Sequence, residues 1–178
     1  AFIFGSLITR SKVSKKTLNQ LILNSKYAVF DVNLRAPHYT EDILIDLLHK
    51  TDFVKFNDEE LFEICEYFGS SYKSIEENIM FIAEKTNTTH ICVTKGSKGA
   101  ILYYNKKFYS NSGYPIKVKD TVGAGDSFLA TLINYLLKNE SPQKAIDMAC
   151  AMGALVAKNE GANPKIKQED ILNLMKFS

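Results

Sequence analysis

Tyr27-Ala28-Val29-Phe30-Asp31 and Phe53-Val54-Lys55-Phe56-Asn57 are two short, largely apolar runs, each ending on a polar residue. Between them Thr40 stands as a cap before Ile43, Leu44, Leu47 and Leu48, which fall on one face of a helix. Short runs of this kind read as strands buried on both faces, and a helical crossover returns the second strand parallel to the first. This strand–helix–strand unit points to an α/β fold built on a mostly parallel sheet.

The alternation continues in both directions. Upstream, Phe2-Ile3-Phe4 reads as a strand and 14–24 as a helix, with Ser14 as its N-cap and Val13, Leu18, Leu21 and Ile22 marking one face. Downstream, helix 58–68 is followed by helix 75–85, opened by Ser74 with Glu77 three residues on, a capping box. His90–Thr94 and Ala100–Tyr104 read as strands around a Gly96/Gly99 turn, and Asn105-Lys106-Lys107 as a turn into Phe108-Tyr109. The last third is helical. One helix follows Asp126, another runs from Pro142 to about Lys158 with Ser141 as cap and Gly161 as its end, and Ile171, Leu172, Leu174 and Met175 mark a third. We expect a single α/β domain over 1–178, with a later antiparallel hairpin.

The 178 residues are 46% hydrophobic and 24% charged, which allows a substantial core. A net charge of +2 with scattered Lys and Arg argues against nucleic-acid or membrane surfaces as partners. Cys65, Cys92 and Cys150 are far apart and odd in number, so they read as buried reduced thiols of a cytoplasmic protein. His38, His49 and His90 have no metal-ligand spacing. The chain starts at Ala1, without Met, on a strand already under way; we expect a fragment of a longer chain.

Polar or glycine-rich residues recur where the strands end, which is where open α/β sheets place their ligands. They are Asp31 and Asn33, Asn57 and Glu60, Thr94 and Gly96, and Asp120 through Asp126. The last group, Asp120-Thr121-Val122-Gly123-Ala124-Gly125-Asp126-Ser127-Phe128, is a small-residue loop opening a helix. Its unpaired N–H groups and the helix dipole suit a phosphate. No Gly-Lys-Ser/Thr follows, so it is not a Walker A loop. An anion hole beside a carboxylate suits phosphoryl transfer to a hydroxyl, with Asp126 as general base. A plain tight turn with an acidic residue favoured by the dipole is the competing reading. Asn57 and Glu60 equally form a helix cap, Thr94, Gly96 and Gly99 a hairpin turn, and Ala149 to Ala154 a close-packed helix.

The Asp120–Phe128 run resembles the second signature of the PfkB (ribokinase-like) carbohydrate kinase family. Other stretches agree in order: Asp31-Val32-Asn33-Leu34-Arg35 resembles fructokinase-like members, Asn57-Asp58-Glu59-Glu60 the family's N-x-x-E, and Thr94 to Gly99 its T-x-G-x-x-G. Gly161-Ala162 resembles the closing nucleotide-site turn. Thr131 departs from the pattern, where Gly or Ala is usual.

The resemblance implies a ribokinase-like three-layer α/β/α sandwich, of which this chain is the C-terminal, nucleotide-binding portion; the N-terminal part and β lid are absent. It implies transfer of the γ-phosphoryl group of ATP to a sugar, with Asp126 as base and the N–H groups of Gly123, Ala124 and Gly125 as anion hole. Asn57 and Glu60 would order Mg²⁺ and its waters near the phosphates. Thr94, Gly96, Gly99, Ala149 and Gly153 would line the nucleotide, and Arg35 would reach the substrate. Asp120, with carbonyls at Val122, Asn159 and Gly161, would hold a monovalent cation such as K⁺. Homodimers would form through the missing lid. Fructose is the acceptor the resemblance favours; ribose, a keto-deoxy sugar acid or a nucleoside, and a non-catalytic nucleotide-binding module, stand beside it.

Overall fold

The computed structural model describes residues 1–176. Six strands form one mixed sheet in the order β1-β2-β3-β4-β5-β6: β1 (Phe2–Gly5), β2 (Ala28–Asp31), β3 (Phe53–Asn57), β4 (His90–Thr94), β5 (Ala100–Tyr104) and β6 (Lys107–Asn111). The first four are parallel, with Gly5 opposite Asp31, Asp31 opposite Lys55, and Lys55 opposite Cys92. Among the described residues seven α-helices accompany them: α1 (Lys12–Asn24), α2 (Glu41–Leu48), α3 (Asp58–Tyr67), α4 (Ile75–Thr86), α5 (Ala124–Leu137), α6 (Pro142–Ala157) and α7 (Gln168–Lys176).

The chain falls into two units. The first holds Ala1–Thr94 and Tyr103–Lys107, and the second Lys95–Leu102 with the chain from Phe108 onward. In the first unit Val29, Phe30, Phe53, Val54, Phe56, Ile91, Cys92 and Val93 are fully buried, as continuous apolar runs in a parallel sheet require. Leu44, Leu47, Leu48, Leu61, Ile64, Ile79 and Ile82 supply the helical side of that core. In the second unit α5 and α6 make the most extensive contact of any two elements among the described residues, and Phe128, Leu129, Leu132, Ala145, Ala149 and Val156 on these helices are buried.

Several boundaries differ from the sequence expectation. Helix α1 starts earlier, at Lys12 behind Ser11, so Ser14 lies inside its first turn; a 3-10 turn at Ser6–Arg10 precedes it. Leu18 and Ile22 are buried, whereas Val13 and Leu21 are exposed and lie outside the apolar face assigned to them. Helix α6 ends at Ala157 rather than at Gly161, which sits in the following turn with φ +77°. The Asn105-Lys106 turn has φ +49° and +62°, the two left-handed residues of a type I′ hairpin, and β6 runs on to Asn111.

Candidate active site

In the second unit, the loop before α5 is held from below. Lys119 and Asp120 donate their N–H groups to the Ala157 carbonyl at the end of α6. The Asp120 carboxylate accepts from Val122 N–H on one oxygen and from Gly161 N–H on the other, both at 3.0 Å. These two backbone donors hold its pKa below the usual carboxylate value. Asp120, Val122 and Gly161 are therefore brought together, through the N–H groups of the last two. Asn159, two residues earlier, turns its amide back to the Leu155 carbonyl.

Gly123 is the N-cap of α5 and has φ +77°. A Cβ there would lie 2.6 Å from the Ala162 carbonyl oxygen and 2.8 Å from its Cα, so only glycine fits. No side chain caps this helix, and its first turn ends where Ser127 N–H reaches the Gly123 carbonyl at 2.9 Å. Ala124 N–H donates to the Thr121 carbonyl at 3.2 Å, so one of the three expected anion donors is already engaged. Asp126 is the third residue of the helix and is exposed, as is Gly125 before it. Thr131 returns its hydroxyl to the Ser127 carbonyl, so its departure from the family pattern is absorbed within α5.

The small residues of α6 serve packing. Ala149 is fully buried, which corrects the expectation that it faces a nucleotide. A Cβ on Gly153 would meet the Ala124 carbonyl at 3.3 Å and Phe128 Cβ at 3.5 Å, so this glycine lets α6 approach the start of α5. The two turn glycines differ. Gly99, with φ +79°, abuts Asn111 so closely that a Cβ would stand 2.0 Å from its carbonyl oxygen, whereas Gly96, with φ +56°, faces open space. Gly99 shapes the turn and Gly96 leaves its surface free.

In the first unit, Asn57 and Glu60 form a reciprocal cap on α3: Asn57 Oδ1 accepts Glu60 N–H and Glu60 Oε2 accepts Asn57 N–H, both at 2.8 Å. Glu60 Oε1 accepts Leu34 N–H at 3.1 Å, and the residue is buried. The cap reading therefore holds. Each carboxylate oxygen keeps a lone pair that could reach a hydrated Mg²⁺, which needs few protein ligands. Among the described residues no group of three or more His, Cys, Asp or Glu forms a metal cage. Thr94 is half-buried and donates its hydroxyl to the Phe56 carbonyl at 3.3 Å. Arg35 is exposed in the loop after β2, where His38 N–H closes a turn onto the Arg35 carbonyl at 2.9 Å.

One pair in this unit went unread in the sequence. Lys55 Nζ donates to Asp31 Oδ1 at 2.8 Å, and both side chains are only 11% exposed. The signal was a lysine inside an otherwise apolar strand, since a buried ammonium needs a counter-charge. No helix among the described residues is long and apolar enough to cross a membrane.

The family model described as pfkB family carbohydrate kinase matches residues 2–169. A fructokinase of Solanum tuberosum is 30% identical over 83% of this chain and 46% of its own length. The crystal structure of a Vibrio cholerae fructokinase with fructose, ADP and calcium ion bound superposes with a TM-score of 0.84 at 25% identity, over 97% of this chain and 59% of that one. A ribokinase from Thermotoga maritima shares the fold with a TM-score of 0.74 at 19% identity, over 99% of this chain and 57% of its own. The chain spans about half the length of several of the curated relatives it matches, the fructokinases of Solanum tuberosum and Salmonella typhimurium among them. Its sheet and helices are those of a ribokinase-like α/β sandwich, and the family match takes in residues of both units between 2 and 169; the chain belongs to the pfkB family of carbohydrate kinases.

Proposed function

We propose that the protein phosphorylates a sugar hydroxyl from ATP, with fructose as the favoured acceptor. One observation carries this reading: α5 opens without a side-chain cap bond, and its third residue is an exposed carboxylate, in a chain of a sugar-kinase family.

In the proposed step the acceptor hydroxyl oxygen bonds to the γ-phosphorus while the bond from that phosphorus to the β–γ bridging oxygen breaks. The bridging oxygen leaves with the electron pair as ADP, and the hydroxyl proton passes to Asp126. An aspartate serves because the hydroxyl becomes acidic only as its bond to phosphorus forms. The N–H groups of Gly123 and Gly125 meet the charge growing on the phosphoryl oxygens, and that of Ala124 joins them by leaving or sharing the Thr121 carbonyl. The turn at Gly96 and Gly99 takes the nucleotide, with Thr94 at the strand end before it. Glu60 and Asn57 orient the waters of Mg²⁺, which when bound would offset phosphate charge. Asp120, kept ionised by its two backbone donors, would hold a monovalent cation with carbonyls of Val122, Asn159 and Gly161. Arg35 serves the acceptor.

The test is ADP formation by the full-length protein with ATP across fructose, ribose, a keto-deoxy sugar acid and a nucleoside. Stimulation by one sugar above the ATP-only rate is expected. ATP binding without stimulation by any acceptor would overturn the reading and favour a non-catalytic nucleotide-binding module.

A further inference from the structure

The loop between β2 and α2, residues 32–40, is tied down along its length by the elements beneath it. Ser6 Oγ donates to the Asn33 carbonyl at 3.0 Å, and the Lys55 carbonyl accepts Val32 N–H at 3.0 Å. Glu60 Oε1 takes Leu34 N–H at 3.1 Å, and Glu63 Oε1 takes the Tyr39 hydroxyl at 2.8 Å. Glu60 and Glu63 are three residues apart on α3 and so share a face. One helical turn of carboxylates therefore grips the loop at both ends of the segment that carries Arg35.

Glu63 is itself fixed. Tyr67, four residues on in α3, donates its hydroxyl to the same Oε1 that receives Tyr39. Both phenols are held protonated by this carboxylate, with pKa values raised above the ordinary tyrosine value. Helix capping does not require this arrangement, since the cap of α3 is complete with Asn57 and Glu60. Tyr39 also lies before Thr40, which starts α2 without any side-chain cap bond, so helix α2 does not explain the anchor either. What the grip fixes is the backbone of Arg35 between two anchors, while its guanidinium stays exposed.

We propose that Glu63, through Tyr39, is a positioning residue that sets Arg35 for the acceptor substrate. The proposal rests on the reading of Arg35 as an acceptor residue. A long side chain placed from a fixed Cα loses less freedom on binding, so the grip improves acceptor binding and leaves the phosphoryl-transfer step alone.

Steady-state kinetics of the full-length protein test it. Tyr39→Phe keeps the ring and removes the donor, and should raise the acceptor KM about three- to tenfold, the range of one ordinary hydrogen bond, because the lost bond acts on the acceptor only through the loop. The ATP KM and kcat should stay within about twofold. Glu63→Leu should match it, whereas Glu63→Gln keeps an accepting oxygen and should restore near-native values. Arg35→Ala should raise the same KM, and Arg35→Ala with Tyr39→Phe should be no worse than Arg35→Ala alone. An unchanged acceptor KM in Tyr39→Phe, equal rises in both KM values, or additive effects with Arg35→Ala would overturn this proposal while the kinase reading stands. A protein inactive with every acceptor overturns both.

Discussion

Helices α3 and α5 both carry an acidic residue at their third position, and they use it in opposite ways. In α3, Glu60 turns back to the N–H of its cap residue, Asn57 answers, and the second carboxylate oxygen is taken by Leu34, so the helix start is closed and buried. In α5 the cap is Gly123 with no side chain to answer, and Asp126 stays exposed. A helix start needs its first N–H groups satisfied by something, and a side-chain cap supplies that where stability is at stake. Where a loop instead spends a positive φ and a close approach to Ala162 to keep the start open, the unsatisfied donors are left for a ligand. The start of α3 is closed by its own side chains, whereas the start of α5, entered through a left-handed glycine and followed by an exposed carboxylate, is the candidate site for the transferred phosphate.

The contrast can be broken by substitution. The closed corner should answer in stability. Lys55→Met strands the buried Asp31 carboxylate and should cost about 3 kcal/mol in chemical denaturation, at the low end for a broken buried pair because water still reaches it slightly. Glu60→Ala removes the reciprocal cap and leaves Leu34 N–H without its partner, for about 2 kcal/mol by the same measurement. A loss under about 0.5 kcal/mol there would mean that the closed start is not structural.

The smallest effect concerns pH. The folded Asp120 carboxyl titrates below the unfolded one, so its tether is complete above the ordinary carboxylate value and fades as pH falls through the lower, folded value. The Gly161 amide resonance should therefore shift with a midpoint below the ordinary carboxylate value. A shift centred near the ordinary value would show that the tether does not act.

Much of this molecule was legible in local pattern. Strands His90–Thr94 and Ala100–Tyr104 and the Ser74–Glu77 box stand where periodicity and capping rules put them, because each depends on residues a few positions apart. What escaped depends on register. Lys55 meets Asp31 only because β2 and β3 align those two residues, and Glu63 meets Tyr39 across 24 positions of chain. The start of α1 was misplaced because Ser11 and Ser14 are equally plausible caps by type, and neither gives its helix a side-chain cap bond. The small residues of α6 were ambiguous because closeness to a ligand and closeness to another helix demand the same side chains. Packing against Ala124 and Phe128 explains Gly153 here.

Asp126→Asn in the full-length protein, followed by turnover and thermal melting on the same preparation, tests the open start of α5 most directly. Asparagine keeps the shape and removes the base. Turnover should fall by about 10²–10⁴-fold, with the melting temperature unchanged within about 2 °C and ATP still bound. Near-native turnover, or a large drop in melting temperature, would show that Asp126 closes its helix as Glu60 does and would contradict its assignment as the base.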